Sequence, residues 1–105
     1  MKRAKKYATC PIEMAVNIIG DSCTMLIVRD LLTGPKRFGA LQSSLSSVSS
    51  RTLTNKLKML EACGAVSRKE FSEKPPRVEY TLTKKGSDLA PIANEIRKYG
   101  KKHLL

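Results

Sequence analysis

The sequence predicts an α+β fold, mainly α, on three observations. Aromatic residues are 5% of the chain and Trp is absent, so the core must come from Leu, Ile, Val, Met and Ala, which suits packed helices better than a sandwich or barrel. Apolar residues recur at helical spacing through most of the chain, in segments closed by Gly or Ser, and strand-like alternation is confined to the stretch after Gly64. The length, 105 residues of which 41% are hydrophobic, provides for one core and not for two ordinary domains.

Residues 1–9 read as a basic arm, and residues 10–105 as a single domain. Cys10-Pro11 starts a first helix, because Pro at the first helical position loses only an N–H that would be unpaired anyway. Ile12, Val16 and Ile19 then fall at i, i+4 and i+7 before Gly20. Asp21-Ser22 caps a second helix running to about Leu32. Met25, Leu26, Ile27, Val28, Leu31 and Leu32 make it apolar on most sides, which places it at the centre of the core. Gly34-Pro35 stops it. Phe38, Leu41 and Leu45 mark a short third helix. Ser49 caps a fourth, which runs to about Cys63 on a buried seam of Leu53, Leu57 and Leu60.

After Gly64 the period shortens. Val66 to Phe71 reads as one strand, while Val78, Tyr80 and Leu82 alternate with polar residues in a second. Ser72–Arg77 joins them, stiffened by Pro75-Pro76. Thr83 caps a final helix, interrupted near Ala90-Pro91, along which Leu89, Ile92, Ile96 and Tyr99 form a stripe. Two helices separated by a Ser-rich turn and followed by a β-hairpin make a winged helix-turn-helix with a two-stranded wing. Such folds also dock proteins, so surface chemistry has to choose the function.

Charge is the most informative bulk property. Twenty Lys and Arg face nine Asp and Glu, a formal net charge of +11, which attracts polyanions. The basic residues cluster, as at Lys36-Arg37, Lys56 with Lys58, and Lys84-Lys85. Opposite the fourth helix's apolar seam lie Arg51, Asn55 and Lys58, with Thr52 on the flank. Arg can fork to guanine and Asn to adenine in the major groove, and the leading end of a recognition helix is where such contacts are made. Ser49 and Ser50 would approach phosphates at the helix start. Lys74 and Arg77 flank the two prolines of the wing, with Lys69 on the strand leading in, so the wing could follow the backbone or enter the minor groove. Arg37 is either a phosphate contact or a solvated turn residue. These features favour double-stranded DNA. The competing reading is a basic winged helix for RNA or protein docking, with Tyr7 the one obvious aromatic free to stack on an unpaired base.

Several segments resemble the HxlR family of bacterial and archaeal regulators. They include Cys10-Pro11-Ile12-Glu13, Ile18-Ile19-Gly20, Gly34-Pro35-Lys36-Arg37-Phe38, Ser49-Ser50-Arg51-Thr52-Leu53-Thr54, Pro75-Pro76-Arg77-Val78-Glu79-Tyr80 and Lys85-Gly86. The resemblance spans about Cys10 to Gly100. It implies a winged-helix homodimer that binds operator DNA. In one departure, members usually carry a Trp where this chain has Cys23, which implies altered core or interface packing there.

A dimer also follows from the apolar stripes. Leu89, Ile92, Ile96 and Tyr99, with Ile12 and Val16 at the other end, either complete the monomer core or pair about a two-fold axis. Cys10, at a helix start near Lys5 and Lys6, is a candidate redox sensor, since both features favour the thiolate. The resemblance adds that some members sense electrophiles or oxidants with an equivalent cysteine. The alternative is a small capping residue.

Three cysteines in a chain that reads as lacking a secretory leader suggest reduced thiols and a cytoplasmic location. Their spacings match no zinc pattern, and a metal sensor built from Cys10, Cys23 and His103 is a distant alternative. Cys63 reads as core. With no nucleophile–base set, carboxylate pair or phosphate loop, an enzyme is not expected. No cofactor and no membrane partner are expected either. The expected partners are operator DNA and a second copy, with a small-molecule or oxidant effector left open.

Overall fold

The structure is a computed structural model that describes residues 10–105; the basic arm expected at 1–9 lies outside the described residues. Among the described residues, the first four helices and the two long strands match the boundary signals closely, and the final helix, expected to be interrupted near Ala90-Pro91, is two separate helices. Helix α1 (Pro11–Ile19) has Cys10 as its cap, with the sulfur accepting from the Glu13 N–H at 3.5 Å. Helix α2 (Ser22–Leu31) is capped by Asp21, whose Oδ1 accepts from the N–H groups of Cys23 at 2.9 Å and Thr24 at 2.8 Å. A two-residue strand β1 (Lys36–Arg37) leads into α3 (Phe38–Ser44), and Ser49 caps α4 (Ser50–Ala62). Strands β2 (Val66–Phe71) and β3 (Arg77–Leu82) form the hairpin, followed by a single turn α5 (Lys84–Ser87) and the terminal α6 (Ala90–His103).

Strand β1 is the element that the sequence pattern did not announce. It pairs antiparallel with β3, Lys36 opposite Tyr80 and Arg37 opposite Glu79, so the sheet has three strands in the order β1-β3-β2. The hairpin itself runs in register from Val66–Leu82 to Phe71–Arg77. Two residues are too few to display an alternation of period two; only the presence of a free β3 edge makes them a strand.

One face of α2 meets the seam of α4 and the inner face of α3. Ile27, Leu41, Leu53 and Leu60 are fully buried, and Leu57 nearly so. Each contributes about 1.5–3 kcal/mol through burial. Val66 closes the core from the sheet, with Tyr80 and Leu82 packed against it. Helix α2 is less enclosed than its composition suggests, because Leu26 and Leu32 lie at the surface. A domain of this size covers its central helix on one side only. Leu26 instead lines a shallow groove with Met25, Ala93 and Ile96, where α6 crosses. Cys23 is a buried core residue.

The C-terminal end of α4 is fastened to the segment beyond it. Gly64 adopts φ +84°, the left-handed conformation that suits glycine, and the N–H groups of Gly64 and Ala65 return to the carbonyls of Glu61 and Leu60 at 3.1 and 2.9 Å. The Lys85 ammonium donates to the Cys63 carbonyl at 2.6 Å, and the Thr83 hydroxyl to that of Gly64 at 2.5 Å. Gly86 passes so close that a Cβ there would collide with the Ala65 carbonyl oxygen. Helix α4 is thereby tied to the root of α6.

Candidate nucleic-acid interface

The outward face of α4 is built by its buried one. With Leu53, Leu57 and Leu60 in the core, a helical repeat of 100° per residue turns Arg51, Thr52, Asn55 and Lys58 to solvent, and all four are exposed. Ser49 Oγ accepts from the Thr52 N–H at 3.1 Å and donates to the Thr52 hydroxyl oxygen at the same distance. Thr52 thus keeps its own hydroxyl proton for a partner. The turn before α4 is braced from α3, where the Gln42 amide donates to the Val48 carbonyl at 2.7 Å.

Lys56 behaves differently from its basic neighbours. Its ammonium lies 3.2 Å from Asp21 Oδ2, an oxygen that also accepts from the Thr24 hydroxyl at 2.7 Å. The ion pair fastens the middle of α4 to the start of α2. Burial pushes the Asp21 carboxyl up, but hydrogen bonds from the Thr24 side chain and backbone, together with Lys56, hold it below its ordinary value. Lys56 therefore positions the helix, a role that its place in a basic cluster did not reveal.

The wing gathers three of the expected cations around one cleft, in which Arg37 on β1 faces Lys74 and Arg77 across a volume of about 360 Å³. Lys74 and Arg37 are exposed. Arg77 is half-buried and engaged, 3.1 Å from Glu73, 3.6 Å from Glu79 and 4.0 Å above the centre of the Phe71 ring. Lys69 stands over the same ring at 5.0 Å. Arg77 thus holds the loop in shape, and Lys74 is the cation presented at the tip. The third strand gives Arg37 a definite place beside the wing, which a turn residue would lack.

The dimer residues divide. Ile12 and Val16 are exposed on α1, which buries no residue completely. Ile92, Ile96 and Tyr99 are exposed along α6, at 39%, 52% and 63%, far more than residues completing a monomer core would be. Leu89 departs from them: it precedes α6 and is half-buried in a groove with Ile18 and Ile19 of α1. Cys10 is exposed, Cys23 buried and Cys63 half-buried, its thiol donating to the Leu60 carbonyl at 3.4 Å. Lys5, Lys6 and Tyr7 lie outside the described residues. Among the described residues no group of three or more His, Cys, Asp or Glu could hold a metal ion, and no single helix is long and apolar enough to cross a membrane.

A model of the HxlR-like helix-turn-helix family matches residues 18–105. The chain belongs to this family. An HTH-type transcriptional regulator of Bacillus subtilis, YvaP, is 45% identical over 91 residues, which are 86% of this chain and 84% of YvaP. Another, sll1512 of Synechocystis, is 37% identical over 91 residues, 87% of this chain and 67% of that protein. Two solved structures of family-like architecture superpose closely. The redox regulator HypR in its oxidized form has a TM-score of 0.85 at 34% identity, covering 90% of this chain and 97% of HypR. The reduced form of the transcriptional regulator YodB of B. subtilis has a TM-score of 0.80 at 33% identity, covering 91% of this chain and 95% of YodB. This HxlR-like chain is accordingly an HTH-type transcriptional regulator with a winged-helix fold.

Proposed function

We propose that this regulator acts in the cytoplasm as a homodimer that reads double-stranded operator DNA, with α4 in the major groove and the wing on the backbone or in the minor groove. The observation that carries the reading is the solvent face of α4. Arg51, which can fork to guanine, and Asn55, which can fork to adenine, are exposed on it one turn apart, with Thr52 between them and Lys58 behind. Ser49 and Ser50 stand at the phosphate end, and Arg37 and Lys74 take the flanking backbone while Arg77 shapes the loop. Ile12, Val16, Ile92, Ile96 and Tyr99 form the two-fold contact, with Leu89 supporting it from within each protomer. Oxidation at exposed Cys10 changes operator affinity; the redox behaviour named for HypR supports this part.

Footprinting on the DNA upstream of its own gene, with a salt titration, tests the reading. A dimer should protect two half-sites about 10 bp or a multiple apart, with affinity falling at a log–log slope of about −0.9 per neutralised phosphate. Arg51→Ala should erase sequence preference, at about 1–3 kcal/mol of discrimination, while Lys74→Ala weakens all duplexes alike. Equal binding to random duplex at every salt concentration would overturn specific reading. Oxidant that leaves wild type and Cys10→Ser equally unaffected would remove the sensor.

A further inference from the structure

A groove of about 260 Å³ opens where α1, the end of α4 and the α5–α6 junction meet. Its walls are aliphatic: Ala15, Ile18 and Ile19 from α1, Ala65 and Leu89 from the other side. Two other groups complete it, the Cys63 thiol and the Lys85 side chain. The Lys85 ammonium already donates to the Cys63 carbonyl at 2.6 Å, and with three N–H donors it has capacity for a further acceptor. The geometry points to a binding site for a small apolar carboxylate, its hydrocarbon against Ile18, Ile19 and Leu89 and its carboxylate on Lys85.

Charge complementarity selects this class. A neutral hydrocarbon would find nothing to orient it. A cation would meet the ammonium in a chain of net charge +11. Size bounds the ligand as well, since drug-sized sites occupy about 300–1,000 Å³. Binding here has a built-in consequence: the groove wall contains Cys63, the residue that caps α4, and Ala65 just beyond it, so the ligand braces the segment that closes the helix. This deepens the proposed regulatory reading by naming an effector class, yet the site itself can be tested without DNA.

The probe is 2-naphthoate, titrated into the full-length protein and followed by its ring fluorescence. Saturable binding at one site per chain is expected, weaker by about 10- to 100-fold for the uncharged 2-naphthamide, the scale of one charged hydrogen bond. Lys85→Gln keeps a donor for the Cys63 carbonyl but removes the charge, and should lose affinity by the same factor. Leu89→Trp should fill the groove and abolish binding, with circular dichroism melts confirming that both variants fold. Lys84→Gln, outside the groove, should bind as wild type does. Bound 2-naphthoate should slow amide exchange at Gly64 and Ala65. The inference is overturned by absence of saturable binding, by equal affinity for the amide, or by indifference to Lys85→Gln and Leu89→Trp. Unchanged exchange would refute the bracing. None of these readings depends on operator DNA, so failure of one proposal is distinguishable from failure of the other.

Discussion

Replacing Asp21 by Ala probes the joint that sets α4 against α2, and the structure allows its cost to be worked through. Asp21 caps α2 through two backbone N–H groups, a contribution of about 1–2 kcal/mol. Its second oxygen accepts from the hydroxyl of fully buried Thr24; losing that partner costs about 1 kcal/mol, the low end for a hydroxyl that can rotate toward a backbone carbonyl. The Lys56 pair is about one-third exposed on each side, and solvent screening limits it to about 0.2–1 kcal/mol. The sum is about 2–4 kcal/mol, which at about 4 °C per kcal/mol lowers Tm by about 8–16 °C. Lys56→Met removes only the last contribution, and Asp21→Asn keeps a good cap, so both should lie within a few degrees of wild type. The pH dependence has a definite sign. Because the folded carboxyl is held below 3.8, the advantage of Asp21 over Asn is fully present above the unfolded value and is lost as pH falls through the folded one. Thermal melts followed by circular dichroism, at fixed protomer concentration, measure all three variants from about pH 6 to about pH 3. Asn as damaging as Ala, or a wild-type advantage over Asn that does not shrink with acid, would refute the reasoning.

Three further outcomes are expected from packing and exposure. Leu57→Ala, at the centre of the seam and 1% exposed, should cost about 2–5 kcal/mol in urea denaturation; a loss below about 1 kcal/mol would mean the seam is not tightly packed. Gly86→Ala drives a Cβ into the Ala65 carbonyl and should cost about 1–3 kcal/mol, so an unchanged melting temperature would contradict the close approach. Iodoacetamide should label Cys10 first, Cys63 more slowly and Cys23 only on unfolding, because burial chiefly, and Asp21 next, push the Cys23 thiol up. Peptide mass spectrometry gives the order, and early labelling of Cys23 would contradict its burial.

Much of the candidate site was legible in the chain because it depends on local spacing. A seam at Leu53, Leu57 and Leu60 dictates which residues of the same helix face outward, so Arg51, Thr52, Asn55 and Lys58 could be named without coordinates. The caps at Cys10, Asp21, Ser49 and Thr83 were equally readable, since a cap is an interaction between neighbours in sequence. Residues whose partners are distant in sequence were not readable in this way. Strand β1 exists only because β3 offers an edge at Glu79 and Tyr80. Lys56 looks like its basic neighbours until folding brings Asp21 to it, and Arg77, whose partners Glu73, Glu79 and Phe71 are near in sequence, meets them only once the hairpin closes.

The sequence by itself determined the order of the helices and the hairpin, the outward face of α4 and the excess of positive charge. Each is set by composition or by periodicities spanning a few residues. Tertiary structure decided how those cations are used: Lys56 clamps, Arg77 shapes the wing, and Arg37 joins Lys74 at one cleft. It also turned Leu89 inward, toward the groove with Lys85, while leaving Ile92, Ile96 and Tyr99 outside. The physical reason is that an ion pair or an apolar contact depends on distance in space, and distance between remote residues is a property of the packed chain.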